Sequence, residues 1–321
     1  MAIAWHLLCA LVLAVSSMAF VFAQSYPSKP IRLIVGSSAG GGGDMIARTV
    51  SAPFSDTLGQ QVIIDNRPGA GGNIGADIVA KAPPDGYILL FAFTGHVINP
   101  GLYSKLPFDT VRDFAPITVL ATNQTLLLVH PTVPARSVKD LIALAKSRPG
   151  KLTVAGLPGG SQHLAGELFK AMAGIDLLFV PFKGNGPALG ALLGGEVDIS
   201  FNTLAAAQSF VRAGKLRALA VAGSRRSELV PDLPTISEAG LPGFSSSGWY
   251  GILAPAGTPR DIVTRLNQAL VTILRSTDMK QRLLSSGNEP VGNTPEQFDA
   301  FIRKEIPRWT KVIKDAGITL Q

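Results

Sequence analysis

Short apolar runs alternate with longer amphipathic stretches along almost the whole chain. IRLIVG (31–36), QVIID (61–65), YILLFAF (87–93), LLLVH (126–130), LTVAG (152–156), LLFVPF (177–182), DISF (198–201) and LRALAVAG (216–223) read as strands. Many are apolar on both faces, as in a parallel sheet covered by helices. Helices are predicted between them. Ser137 heads SVKDLIALAKS with Asp140 three residues on, and Pro149 stops it. Thr258-Pro259 and Thr294-Pro295 open two more near the end, PRDIVTRLNQALVTILRS and PEQFDAFIRKEIPRWTKVIKDAG, the second closed by Gly317. Such alternation over most of 321 residues predicts two α/β lobes. Polar interruptions at TNQT (122–125) and SSSGWYG (245–251) are the candidate crossings. They give one lobe of residues 24–124 plus 246–321 and a second of residues 125–245.

Composition narrows the function. Hydrophobic residues make up 46% and charged ones 16%, a balance that folds around real cores. The net charge is +7, yet no run of Lys and Arg exceeds a pair such as Arg225-Arg226, and no aromatics interleave with them. A nucleic-acid surface needs clustering, so that class is excluded. A dispersed basic surface instead favours small anions by long-range attraction.

The first 23 residues read as a signal peptide. LLCALVLAVSSMAFVFA is apolar and ends in Val21-Phe22-Ala23, a pattern that suits signal peptidase. Its start departs from the usual form, with His6 but no Lys or Arg. Leu8 before Cys9 is not the small residue that lipidation wants. Cleavage near Ala23 removes Cys9, the only cysteine. A disulfide scaffold, a thiolate metal site and a cysteine nucleophile are then excluded. No later stretch is long and apolar enough to span a bilayer. The expectation is a soluble, exported, periplasmic protein.

Candidate chemistry lies in glycine loops. SSAGGGGD (37–44) stands between a strand and a helical pattern. The lysine of a phosphate-binding loop is missing after the last Gly, and a dinucleotide fingerprint would need a glycine where Met45 stands. The arrangement recurs at NRPGAGGNIGADIVA (66–80), GLPGGSQHLAGELF (156–169) and PFKGNGPALGALLGG (181–195). In a doubly wound sheet such loops gather at the carboxyl ends of the strands and face one crevice. Several helix N-termini aimed at one cavity hold a small anion through N–H groups, with no cationic side chain.

The ordered blocks YPSKPIRLIV, GGGGD, DNRPGAGGNIGA, PPDGYILL, INPGLYSKLPFDTVRDFAPI, HPTVPARSV, VPFKGNGPAL, GKLRALAV, PDLPTISEAGLPGF and WYGILAPAGTP carry a resemblance. Through essentially its whole mature length the chain resembles the Bug receptors, the periplasmic solute-binding proteins of tripartite tricarboxylate transporters. The resemblance implies a two-lobed, type II-like periplasmic binding fold with the ligand cleft between the lobes. It implies a ligand carboxylate held by backbone amides and waters of the first lobe, with the second lobe closing over it. The family's loop reads close to P-F-x-P-G-G-x-T-D. Here Gly36 replaces the first proline, Ser37 the aromatic, Ala39 the second proline and Gly43 the hydroxyl residue.

Residues expected at the ligand are Ser37, Ser38, Gly40, Gly41, Gly42, Gly43 and Gly72 of the first loops, Thr94, and Gly160 and Ser161 of the third. Phe182 and Gly184 belong to the fourth, and Trp249 to the WYG block. His163 is either a donor to a second ligand group or a helix-face residue bonded to backbone. Asn202 is a candidate donor at a strand end. Phe182 and Trp249 line the mouth or sit in the core. Asp44 reads as a first-turn acid that steadies its own helix. Lys183 and Arg67 are the nearest cations, with solvated rim positions as their default. His96 and His130 lack partners at metal spacing, so no metal site and no cofactor is proposed. Ser161 and His163 make no nucleophile pair, since no G-x-S-x-G elbow surrounds the serine. The expected partners are a small carboxylate (di- or tricarboxylate, amino acid or aromatic acid) and the transporter's membrane subunits, with a monomeric receptor. A ligand-presenting co-receptor for a sensor kinase is the alternative. A secreted α/β enzyme is the remote one, since the loops offer no paired acid and base.

Overall fold

A computed structural model describes residues 26–318. The signal-peptide expectation and Cys9 lie outside the described residues. Two sheets organise the chain. The first takes β1 (Ile31–Val35), β2 (Val62–Asn66), β3 (Ile88–Phe93), β4 (Phe114–Asn123), β10 (Gly248–Pro255) and β11 (Asn288–Pro290), in the order β11-β4-β10-β3-β1-β2. The second takes β5 (Thr125–Val129), β6 (Thr153–Gly156), β7 (Leu178–Pro181), β8 (Ile199–Thr203) and β9 (Arg217–Val221), in the order β7-β6-β8-β5-β9. β4 ends one residue before β5 begins, so Gln124 alone joins the two sheets there. The chain returns to the first sheet between Val221 and Gly248.

Both sheets are mixed, although many of their strands read from sequence like those of a parallel sheet. β1 runs parallel to β2 and β3, and β6 parallel to β7 and β8. The strands that flank the crossings are antiparallel to a neighbour: β10 to β3 and β4, and β5 to β8 and β9. β4, β10 and β11 were not expected as strands. Pro116 disguises β4, because a proline inside an apolar run argues against a central strand. In the fold it pairs with Leu253 at a register shift, where the irregular ladder accepts a residue without an N–H.

Helices cover both faces of the first sheet. In β1, Ile31, Leu33 and Val35 pack with Ile46, Val50 and Phe54 of α1 (Gly42–Leu58) and with Leu266 and Leu270 of α8 (Arg260–Arg275). Ile34 points the other way, into a core with Val79 of α2 (Asn73–Ala80), Val97 of α3 (Gly95–Leu102) and Phe298 and Trp309 of α10 (Pro295–Asp315). This period-2 alternation places one strand between two helical layers. The second core continues into the other sheet through α4 (Val138–Ser147) and α5 (Ser161–Ala173). On the far face of that sheet, Leu126 and Leu128 meet Leu189 and Leu192 of α6 (Asn185–Leu193) and Leu204 of α7 (Leu204–Arg212). The helix expected from Pro259 to Ser276 is α8; α9 (Thr277–Ser285), which was not expected, follows at once, because Ser276 ends α8 and caps α9 by accepting from the Met279 N–H. Ser137 and Thr294 cap α4 and α10, the latter in a reciprocal capping box with Gln297. Among the described residues no helix is long and apolar enough to cross a membrane.

Candidate functional site

The carboxyl ends of β1, β3, β6 and β8 and the start of β10 open onto one cavity of about 520 Å³. Its wall includes Gly43 in the first turn of α1, Thr94 and Gly95 at the start of α3, and Gly160, Ser161 and Gln162 at the start of α5. Asn185 at the start of α6 and Thr203, which caps α7, complete the ring of helix N-termini. No side chain caps any of these five helices. The first N–H groups of a helix have no partner in the helix ladder and carry partial positive charge; here the Leu204 N–H donates to the Gln124 carbonyl (2.8 Å) and the Val97 N–H to the Thr94 carbonyl (3.2 Å). No charged side chain lines the cavity among the described residues. A groove of about 620 Å³ beside Tyr26 runs along the first turns of α8, and no loop end converges on it.

The glycine loop is built from below. Asp44 is buried; its carboxylate accepts from the Gly40 N–H (2.8 Å), from Arg48 Nε (2.9 Å) and from Asn66 Nδ2 (2.9 Å). The Arg48 guanidinium, helped by the Gly40 and Asn66 hydrogen bonds, holds that carboxyl down to about 2. Asn66 Nδ2 also donates to the Ser37 carbonyl (3.1 Å). Asp44 thus pins the loop and leaves the cavity to the amides. Gly41 is extended, and its N–H is engaged by the Ser38 carbonyl (3.1 Å). Gly36 and Gly72 serve close approach. A Cβ at Gly36 would lie 2.9 Å from the Gly72 Cα, and one at Gly72, whose φ is +96°, would lie 2.7 Å from the Phe93 ring.

Of the expected residues, Ser37, Gly43, Thr94, Gly160, Ser161 and Trp249 line the cavity. Ser38, Gly40, Gly41, Gly42, Gly72 and Gly184 lie in the supporting loops, outside the lining. His163 also lies outside it, because its ring is already occupied. Nδ1 accepts from the Gly159 N–H (3.1 Å), Nε2 lies 3.6 Å from Glu167 Oε1, and the ring stacks on Phe179 at 3.8 Å. Burial works against the Glu167 charge, but bonds from His163 and Lys170 outweigh it and hold its carboxyl below the usual range. Asn202 is likewise engaged: its Nδ2 donates to the Asn185 carbonyl (3.2 Å), and its Oδ1 accepts from the Thr203 N–H (3.0 Å). The cavity meets its neighbour Thr203 instead. Phe182 packs against the core beneath α6 and α7. Lys183 stands outside the lining, and Arg67 pairs with Asp65 (2.9 Å).

Trp249 is both wall and core. Its backbone N–H donates to Thr94 Oγ1 (3.0 Å), and its ring stands edge-on to Phe298 and Phe301. Its Nε1 and the Ser37 hydroxyl are buried and hydrogen-bond to no protein group. Sequence reasoning missed the α3 wall. Gly95, Ile98, Asn99, Leu102 and Tyr103 line the cavity at helical spacing. The signal was there, since Thr94-Gly95 follows YILLFAF as one more small-residue turn between a strand and a helix. Asn123 and Tyr250 were hidden with β4 and β10. Among the described residues no group of three or more His, Cys, Asp or Glu is placed to hold a metal.

Residues 46–318 match the family described as tripartite tricarboxylate transporter family receptor. The chain belongs to this family. Protein BugT of Bordetella pertussis is 38% identical over 304 residues, which cover 94% of this chain and 93% of BugT. Among solved structures, R. palustris Rpa4515 with adipate is 39% identical with a TM-score of 0.77, covering 92% of this chain and 100% of that one. MatC from Rhodopseudomonas palustris with bound malate is 35% identical with a TM-score of 0.73, covering 90% and 100%. The transporter-receptor fold is the two-lobed α/β fold expected from the sequence, and the role that goes with the family is solute binding.

Proposed function

We propose that the chain is a periplasmic receptor that captures a small organic carboxylate in the 520 Å³ cavity and delivers it to the membrane subunits of a tripartite tricarboxylate-type transporter. The observation that carries this is the convergence of five uncapped helix N-termini on a wall without charged side chains. Such a wall complements a carboxylate and offers no acid–base pair to transform it. Adipate in Rpa4515 and malate in MatC support the ligand class. In this reading residues 24–124 plus 246–321 form one lobe and residues 125–245 the other, closing on the ligand about Gln124 and the return segment. Ser37, Gly43, Thr94, Gly160, Ser161 and Trp249 contact it. The receptor works as a monomer, after cleavage near Ala23, with neither metal nor cofactor.

Calorimetry and thermal unfolding of the mature chain with malate and adipate test the reading. A bound acid at about 100 times its Kd raises stability by roughly 2.7 kcal/mol. It is recovered unchanged by mass spectrometry after chelator treatment. Chemical turnover of the acid, or binding that needs a metal, overturns the proposal.

A further inference from the structure

The turn that feeds α5 into the cavity is held from behind by a histidine. Gly159 and Gly160 line the cavity, and Gly160 is the cap from which α5 starts. Behind them, His163 Nδ1 accepts the Gly159 N–H at 3.1 Å. The imidazole lies flat on Phe179 of β7, its ring 3.8 Å away and tilted by 25°. Nε2 faces Glu167 Oε1 at 3.6 Å, and that carboxylate also takes Lys170 Nζ at 3.0 Å. An acceptor at Nδ1 and a carboxylate at Nε2 select one tautomer, neutral with its hydrogen on Nε2. Only that form can hold Gly159.

We propose that His163 is a positioning residue for the carboxylate site, which in its neutral Nε2–H form fixes the α5 N-terminus in binding geometry and releases it when a second proton arrives. The inference rests on the cavity being the carboxylate site. A proton on Nδ1 replaces the acceptor with a donor, so the Gly159 N–H loses its partner and the turn loosens. Ligand binding and protonation of His163 then oppose each other. Charged groups facing the ring or its partners are Glu167 and Lys170 on α5, with Asp315 of α10 across the shared surface and itself paired with Lys311. Phe179 of β7 stacks on the ring, and Gly156 of β6 lies against the His163 backbone, where an added Cβ would be 3.6 Å from its Cα. The sign separates this role from that of a ligand counter-ion. A histidine cation in the cavity would strengthen binding in acid, whereas an acceptor behind the cavity weakens it.

The test is calorimetry with adipate and with malate at several values across the imidazole range, about pH 8 to 5. It compares wild type, His163→Asn and His163→Leu. Asparagine keeps an acceptor near Nδ1 but does not titrate, whereas leucine keeps bulk without an acceptor. Wild-type affinity should fall about tenfold toward acid, the loss of one hydrogen-bond acceptor. The asparagine variant should bind within about threefold of wild type at pH 8 and lack that extra acid loss, which also corrects for ligand ionisation. The leucine variant should bind about tenfold more weakly at every pH while its circular dichroism stays native. Equal acid loss in wild type and asparagine variant, tighter binding in acid, or normal binding by the leucine variant overturns the inference. Failure of both acids to bind the wild type at any pH instead removes the carboxylate reading on which it stands.

Discussion

Ser161 allows a single amide of the cavity to be deleted without breaking its helix. It is the first residue of α5, lines the cavity, and its N–H precedes the first intrahelical bond, from Leu164 to the Gly160 carbonyl. Proline is well tolerated at that position. The preceding Gly160 has φ −70° and ψ 158°, the extended geometry a residue before proline prefers. Ser161→Pro therefore removes one N–H donor and one hydroxyl and should leave the fold within about 1 kcal/mol of wild type. Ser161→Ala removes only the hydroxyl, which donates to its neighbour Gln162 Oε1 at 3.0 Å and so contributes little to a ligand. A hydrogen bond to a charged group is worth about 1.5–3 kcal/mol, so the proline variant should bind its acid roughly 10- to 150-fold more weakly. The alanine variant should lose less than about tenfold, the range of a neutral hydrogen bond. Calorimetry at pH 7.5 measures both, with urea melts to confirm stability. Equal affinities for the two variants would refute the idea that backbone amides hold the anion.

Two predictions concern stability against pH. Burial pushes His96 down to about 4, against the pull of its hydrogen bond to the Thr110 carbonyl (3.1 Å). Its folded value lies below its unfolded one, so its contribution is complete above about pH 6.5 and is lost as pH falls toward 4, roughly 3 kcal/mol over that window. Urea midpoints should drop across that range, and His96→Gln should flatten the drop; an unchanged slope counts against the buried neutral imidazole. Asp44, held near 2 by Arg48 and the Gly40 N–H, is also depressed, so its contribution is present above about pH 4 and disappears as pH falls through about 2. Asp44→Asn should destabilise by about 1–3 kcal/mol at pH 7, because Arg48, Gly40 and Asn66 lose a charged acceptor; a neutral effect on the urea midpoint would mean that the loop does not depend on this pin.

Strands with uninterrupted apolar runs and helices with explicit caps were legible in the sequence. β3 and β5 are buried on both faces and look it, and Ser137 and Thr294 signal α4 and α10 through their side chains. β4 and β10 were not, because Pro116 and the Ser-Gly-rich approach to Trp249 resemble loop chemistry, and only cross-sheet pairing turns them into central strands. Glycine-loop convergence was readable from topology rules alone. Which groups in those loops remain free was not. Gly41 was expected among the ligand donors and gives its N–H to Ser38, while His163, expected either as a ligand donor or as a helix-face residue bonded to backbone, accepts the Gly159 N–H. Hydrogen-bond allocation depends on how a loop folds back on itself, and spacing along a chain does not encode it.

No side-chain cap falls on the cavity wall, although α2 and α8, which start after Gly72 and Pro259 outside the lining, lack one too. Ser137, Ser276 and Thr294 cap α4, α9 and α10, whose starts are not part of the cavity wall. The helices that begin on the cavity start after Gly41, Thr94, Gly160, Gly184 and Thr203 with no capping hydrogen bond, although Thr94 and Thr203 carry hydroxyls able to make one. Thr94 instead accepts from the Trp249 N–H, which ties the start of α3 to the strand that returns from the second sheet. A missing cap forgoes about 1 kcal/mol of stability per helix. In the proposed complex the ligand's oxygens take up part of that deficit, while at α7 the Gln124 carbonyl already takes the Leu204 N–H (2.8 Å). In the proposed reading five such ends, from both sheets, share the anion as a cap. If the proposed lobes close on it, its binding energy grows as they approach, because an open form can satisfy only the donors of one lobe at a time. Cationic side chains would attract an anion in the open form almost as strongly as in the closed one. Short-range amide donors reward closure itself, and a solute-binding receptor that holds its ligand this way gains a ligand-dependent shape from that difference.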